Sequence, residues 1–106
     1  MSKCNWPLGN GRHIEFDVFG QNQAWNTVAG LYIFSYKLEN GNWGALYVGQ
    51  TDDFSSRIPN HERLNEAIQL GATHIHAAVV PLKSNRDSWE SMLIQHLQPP
   101  MNTQHR

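Results

Sequence analysis

The chain has 106 residues and carries eight Lys and Arg against nine Asp and Glu, a formal charge of −1 with a pI of about 6.6. That length suits one domain with one modest core, and 40% hydrophobic residues with four tryptophans exclude a disordered chain. No run approaches the ~20 apolar residues of a membrane helix, and the charge balance lacks the basic excess of a protein that grips DNA unaided.

Residues 1–7 lack the apolar core of a secretion signal. Cys4 is the one cysteine, so no internal disulfide can form, and the expected location is a reducing cytoplasm with no membrane contact. Residues 1–11, rich in Asn, Gly and Pro, read as a loose lead-in. Ile14, Phe16 and Val18 alternate with polar neighbours, so 13–19 is expected as a half-buried strand. A polar loop follows over 20–27.

Residues 30–36 are dense in β-branched and aromatic side chains and read as a strand buried on both faces at its start. Asn40, Gly41 and Asn42 supply turn chemistry, and 45–50 returns as the partner strand of a hairpin. Thr51, Asp52 and Asp53 can each cap a helix running to about Ile58, which Pro59 should end. Asn60 can cap a second helix, with Leu64, Ala67 and Ile68 on one face and Gly71 as its stop. A third core strand is expected over 73–80.

Ser84 and Asp87 approximate a capping box for a last helix. Trp89, Met92, Leu93, His96 and Leu97 lie on it at helical spacing, and Pro99 and Pro100 stop it. The expected class is α/β: a small mixed or antiparallel sheet flanked by helices. A β-β-α-β-α core spans about 29–103, with an N-terminal strand in an extension over 1–28, all within one domain over 1–106.

Several residues could carry chemistry. Tyr32 and Tyr47, ordinary sheet aromatics by default, have phenols that can position or deprotonate water once positive charge lowers their pKa. Arg57, by default a solvated helix residue, offers a planar fork that suits phosphate. Glu90 adjoins Trp89 on a helical row with Ile94 and Leu97, at the rim of a buried stripe. The bland reading of such a carboxylate is a salt bridge; the functional one is a Mg²⁺ site completed by water and phosphate. His61 is either an auxiliary base or phosphate ligand, or an exposed residue at a helix start. His74 and His76 share a strand face and read as surface or sheet-rim residues, with zinc a minor alternative. Trp6, Trp25 and Trp43 fall in expected loops and read as packing anchors.

Gly30-Leu31-Tyr32 followed by Tyr47-Val48-Gly49 resembles the paired signature of the GIY-YIG nuclease superfamily. Arg57 stands where that family carries an arginine, His61 where it holds His or Tyr, and Glu90 where it places its metal-binding glutamate. Asn102 falls where it often has an asparagine, so the match spans Gly30 to Asn102.

The resemblance implies a metal-dependent endonuclease acting on DNA with Mg²⁺ or Mn²⁺, leaving 5′ phosphates. In it Tyr47 is the general base, Tyr32 orients, Arg57 clamps the phosphate and His61 assists. Glu90 holds the metal, and Gly49, Gln50 and Asn102 contact substrate. Gln50 stands where some relatives carry Lys, and Pro59 interrupts a helix that usually runs on. A local basic set of Arg57, Arg63, Lys83 and Arg86 is expected to meet the phosphates. With so little net charge, a partner protein or homodimer would help hold the substrate. The alternative is a catalytically weak binding module that acts within a complex.

Overall fold

Side chains alternate between the two faces of each extended stretch, so a half-buried strand such as 13–19 alternates apolar and polar residues while 31–34 is apolar on both faces. The computed structural model of the chain describes residues 2–103. Its strands are β1 (Lys3–Pro7), β2 (His13–Gly20), β3 (Gly30–Lys37), β4 (Trp43–Thr51) and β5 (His74–Val79). They form one five-stranded sheet in the order β1-β2-β5-β3-β4, antiparallel at every pairing. Its helices are α1 (Phe54–Arg57), α2 (Leu64–Gln69), α3 (Lys83–Leu97) and α4 (Pro100–Thr103).

Each face of the sheet has its own core. Tyr32, Phe34, Ile75 and Ala77 pack on one face against Phe54, Ile58 and Ala67 from the α1–α2 region. Leu31, Ile33, Val48 and Ala78 pack on the other with Trp6, Phe16 and Leu93 of α3. Because a strand alternates its faces, consecutive residues such as Leu31 and Tyr32 serve opposite cores. That explains why β3 is buried from Gly30 to Ser35.

Residues 1–11 hold a strand where a loose lead-in was expected. Lys3–Pro7 pairs with β2, and Trp6 is buried. Pro7 is tolerated because it ends an edge strand, where no ladder donor is missed. β2 sits between β1 and β5, so 1–28 contributes two strands to the one sheet and is no appendage. Trp6 and Trp43 lie in strands, leaving Trp25 in a loop.

His76 also departs from its expected place at the rim. It is fully buried; its Nδ1 accepts from the Trp6 indole N–H at 2.9 Å, and Trp43 packs edge-on at 4.6 Å between centroids. Burial and the neighbouring His74 lower its pKa to about 4, so it is neutral in the fold.

α1 and α2 start later than the first of their capping candidates, whereas α3 starts earlier, at Lys83 with Leu82 at its N-cap. Thr51 stays in β4, and Asp53 caps α1 by accepting from the Ser55 N–H at 2.9 Å. Asn60 spends its amide on the Ser56 carbonyl, so α2 begins only at Leu64. Ser84 and Asp87 form no capping box, because Ser84 already lies inside α3 and Lys83 and Gln50 take the Asp87 carboxylate. Gln98 ends α3 in the left-handed region at φ 48°, and Pro100 then opens α4.

Candidate active site

β4 is an edge strand, and the candidate residues gather along that edge. Across the hairpin Tyr32 faces Gly49 and Phe34 faces Tyr47, which puts both phenols on one face of the sheet. Their ring centroids lie 6.3 Å apart, with Phe34 stacked on Tyr47 at 5.6 Å.

The glycines of the two half-motifs now have a steric reason. A Cβ on Gly49 would sit 2.5 Å from the Tyr32 ring and hydroxyl, so only glycine lets that phenol lie across β4. A Cβ on Gly30 would meet the Ala78 carbonyl at 2.0 Å.

His61 stands edge-on to Phe34, Tyr47 and Tyr32 at 4.9, 5.2 and 5.6 Å. Its Nε2 is 3.0 Å from the Tyr32 oxygen, and its Nδ1 accepts the Arg63 backbone N–H at 3.1 Å. That second bond fixes the tautomer: Nδ1 presents its lone pair, so the neutral ring carries its proton on Nε2. His61 therefore donates to the Tyr32 oxygen, leaving the phenol's own hydrogen to point elsewhere. Burial, then Arg57, lowers the His61 pKa to about 4. With both nitrogens engaged, it is better suited to hold Tyr32 than to take a proton from water.

Arg57, at the end of α1, is closed by a carboxylate. Its Nη1 and Nη2 donate to the two Glu62 oxygens at 2.7 and 3.1 Å, in the two-point geometry that a phosphate would use. This contact draws the Glu62 pKa down to about 2. Arg57 also lies close enough to oppose the burial of both phenols. Burial nevertheless wins and raises both tyrosine pKa values, the reverse of the lowering expected for a base. The Glu90 charge adds to that rise in each case.

Glu90 reaches this edge from α3, on the opposite side of the sheet. It is half-buried, and burial raises its pKa. Its Oε1 accepts from Gln50 Nε2 at 3.0 Å; Oε2 has no partner and the carboxylate no ion pair among the described residues. A half-buried carboxylate with one neutral donor and a spare oxygen fits a hard divalent cation. No cluster of three or more His, Cys, Asp or Glu is placed for a metal among the described residues. The other ligands would therefore be water and phosphate, the normal arrangement for Mg²⁺.

Gln50 and Asn102 are already engaged. Gln50 Nε2 also donates to Asp87 at 2.7 Å, and its Oε1 accepts from Arg86 Nε at 3.3 Å. Asn102 accepts the Val48 N–H at 2.8 Å and donates to the Val48 carbonyl at 2.9 Å. It thus covers the open edge of β4 with α4.

The expected basic set is likewise committed within the protein. Lys83 pairs with Asp87, and Arg63 pairs with Glu66, donates to the Met101 carbonyl and stacks on Tyr47. Arg86 is buried and donates to the Val80 and Pro81 carbonyls.

Glu62 and the Arg86–Gln50–Glu90 chain had no sequence signal. Glu62 lies five residues from Arg57, off the three- and four-residue spacing of helical pairs, and the break at Pro59 brings them together. Compared with protein-family models, curated proteins and solved structures, the chain finds no significant match.

Proposed function

We propose that the chain is a metal-dependent endonuclease that hydrolyses phosphodiester bonds in DNA. One observation carries the reading: β3, β4, α1, the turn after it and α3 bring two phenols, a histidine, an arginine fork and a half-buried carboxylate to one sheet edge. Packing alone asks for no such set. The order of hairpin, helices, strand and long helix supports the GIY-YIG-like arrangement that the sequence resembles.

Glu90 would hold the Mg²⁺ or Mn²⁺, which when bound supplies positive charge that stabilises the phosphate and lowers the phenol pKa values. Tyr47, the more exposed of the two tyrosines, acts as its phenolate and takes a proton from the attacking water, becoming the phenol. The new oxygen–phosphorus bond forms as the bond to O3′ breaks, and O3′ leaves and takes up a proton. Arg57 grips the non-bridging oxygens once Glu62 swings aside, and Tyr32, held by His61, orients the phosphate. Gly49 leaves room at the edge. Gln50 positions Glu90, and Asn102 holds β4; in this reading both act through other residues.

With the basic set committed, the chain is proposed to hold DNA together with a partner protein or a second copy. The binding-module alternative rests on the same closed fork. The test is incubation with branched, nicked, single-stranded and duplex DNA plus Mg²⁺ or Mn²⁺. Cleavage leaving 5′ phosphates is expected. Binding without cleavage of any substrate, even with the physiological partner present, would leave the binding module.

A further inference from the structure

On the same sheet face as Tyr32, with Phe54 of α1 in its wall, lies a hollow of about 320 Å³. Its floor is Ala77 and Val79 of β5, paired across the ladder with Tyr32 and Gly30. Its walls are aromatic. Trp25 meets Phe19 edge-on at 5.2 Å and Phe54 at 5.9 Å between centroids. Val79 is 64% exposed, an unusual state for an aliphatic residue within a sheet.

The walls are preset. Gln21 ties one end of the loop to the Ala72 carbonyl at 2.9 Å, and Val28 accepts the Phe54 N–H at 2.9 Å at the other. Gln23 and Asn26 lie at the rim; Gln23 Nε2 donates to the Ala24 carbonyl at 3.2 Å, and the Asn26 amide has no hydrogen bond among the described residues. No Lys or Arg lines the hollow, and its one charged residue, Asp17, is paired with Lys3.

These features select a ligand. Phosphate has nothing to bind there, and a free cation would find its carboxylate taken. A flat, neutral ring with hydrogen-bonding edges fits: aromatic faces for stacking and amides for the edge. The volume is at the small end of the ~300–1,000 Å³ of ligand pockets. Two strand spacings, about 10 Å, separate β5 from β4, and Phe54 in the wall is one turn of α1 from Arg57. We propose that this hollow receives an unstacked nucleobase of the strand whose phosphate Arg57 holds. The proposal rests on the nuclease reading of that site.

NMR titration of the ¹⁵N-labelled chain without divalent cations tests it, using a short single-stranded oligodeoxynucleotide and an abasic strand of equal length. The Trp25 indole N–H should shift and saturate with the base-bearing strand alone. Val79→Glu should weaken that strand by at least about fivefold, and the near-isosteric Val79→Thr should not. If Arg57 Nε shifts while Trp25 does not, the base site is overturned and the phosphate site stands. An equal Trp25 shift with the abasic strand also overturns it. If neither resonance moves at millimolar strand, the base site is overturned as well, and the cleavage assay with Mg²⁺ or Mn²⁺ judges the nuclease reading separately.

Discussion

Arg57 and Glu62 hold each other in the geometry that Arg57 would use on a phosphate. Replacing Glu62 with Gln removes the competing charge and keeps the shape. DNA binding should tighten by about two- to fivefold, the scale of an exposed ion pair, measured by fluorescence anisotropy; weaker binding would mean that Glu62 positions Arg57 for substrate. The phenols carry a second expectation. Burial raises the Tyr47 pKa, so the phenolate is scarce at neutral pH, and the cleavage rate should climb as pH rises toward that pKa. Tyr47→Phe should remove the rate and the climb, whereas Tyr32→Phe should slow the reaction and keep the profile. Tyr47→Phe cleaving at the parent's rate at high pH with saturating Mn²⁺ would transfer the role of base elsewhere. His61 is a weak candidate for it, because the Arg63 N–H occupies its one lone pair.

The short elements matter most where they touch β4. α4 supplies Asn102, which satisfies both backbone groups of Val48 on the open edge. Asn102→Ala should cost about 2–3 kcal/mol of stability, from lost hydrogen bonds and an edge left uncovered; chemical denaturation checks this, and a loss below about 0.5 kcal/mol would show that water replaces the amide. The strands over 13–20, 30–37, 43–51 and 74–79 were legible because their apolar residues alternate or run together. β1 was hidden by Asn5 and Pro7, whose residue types favour loops, although Trp6 is buried there. The starts of α1 and α2 were misplaced because Thr51 and Asn60 found partners other than helix N–H groups, and that of α3 because the helix begins at Lys83, ahead of Ser84. In the candidate site, Tyr32, Tyr47, Arg57, His61 and Glu90 were legible as residue types. Their closures by Glu62 and Gln50 were not, since both depend on contacts across the fold.

As a whole, the molecule stores neutral histidines in its interior. His61 and His76 have pKa values of about 4 in the fold, below the ~6.5 of an unfolded chain. Between those values the unfolded state binds more protons, so stability is full above about pH 6.5 and is lost as pH falls toward 4. The His76 share at pH 5 should be on the order of 1–2 kcal/mol. Thermal melts of the parent should drop between pH 7 and 5, and those of His76→Phe should drop less; equal drops would assign the acid sensitivity to other groups. The near-neutral charge and the committed basic residues further imply weak, salt-sensitive binding to DNA by the isolated chain. The reading of the molecule as a nuclease turns on the half-buried carboxylate at the β4 edge. The decisive measurement is cleavage of nicked and branched DNA in Mn²⁺ by the parent and by Glu90→Gln, with folding of both verified by circular dichroism. The account predicts 5′-phosphate products from the parent and a loss of at least about a hundredfold in the variant, the scale for removing a group that stabilises the transition state. A folded Glu90→Gln protein that cleaves as fast as the parent would contradict it.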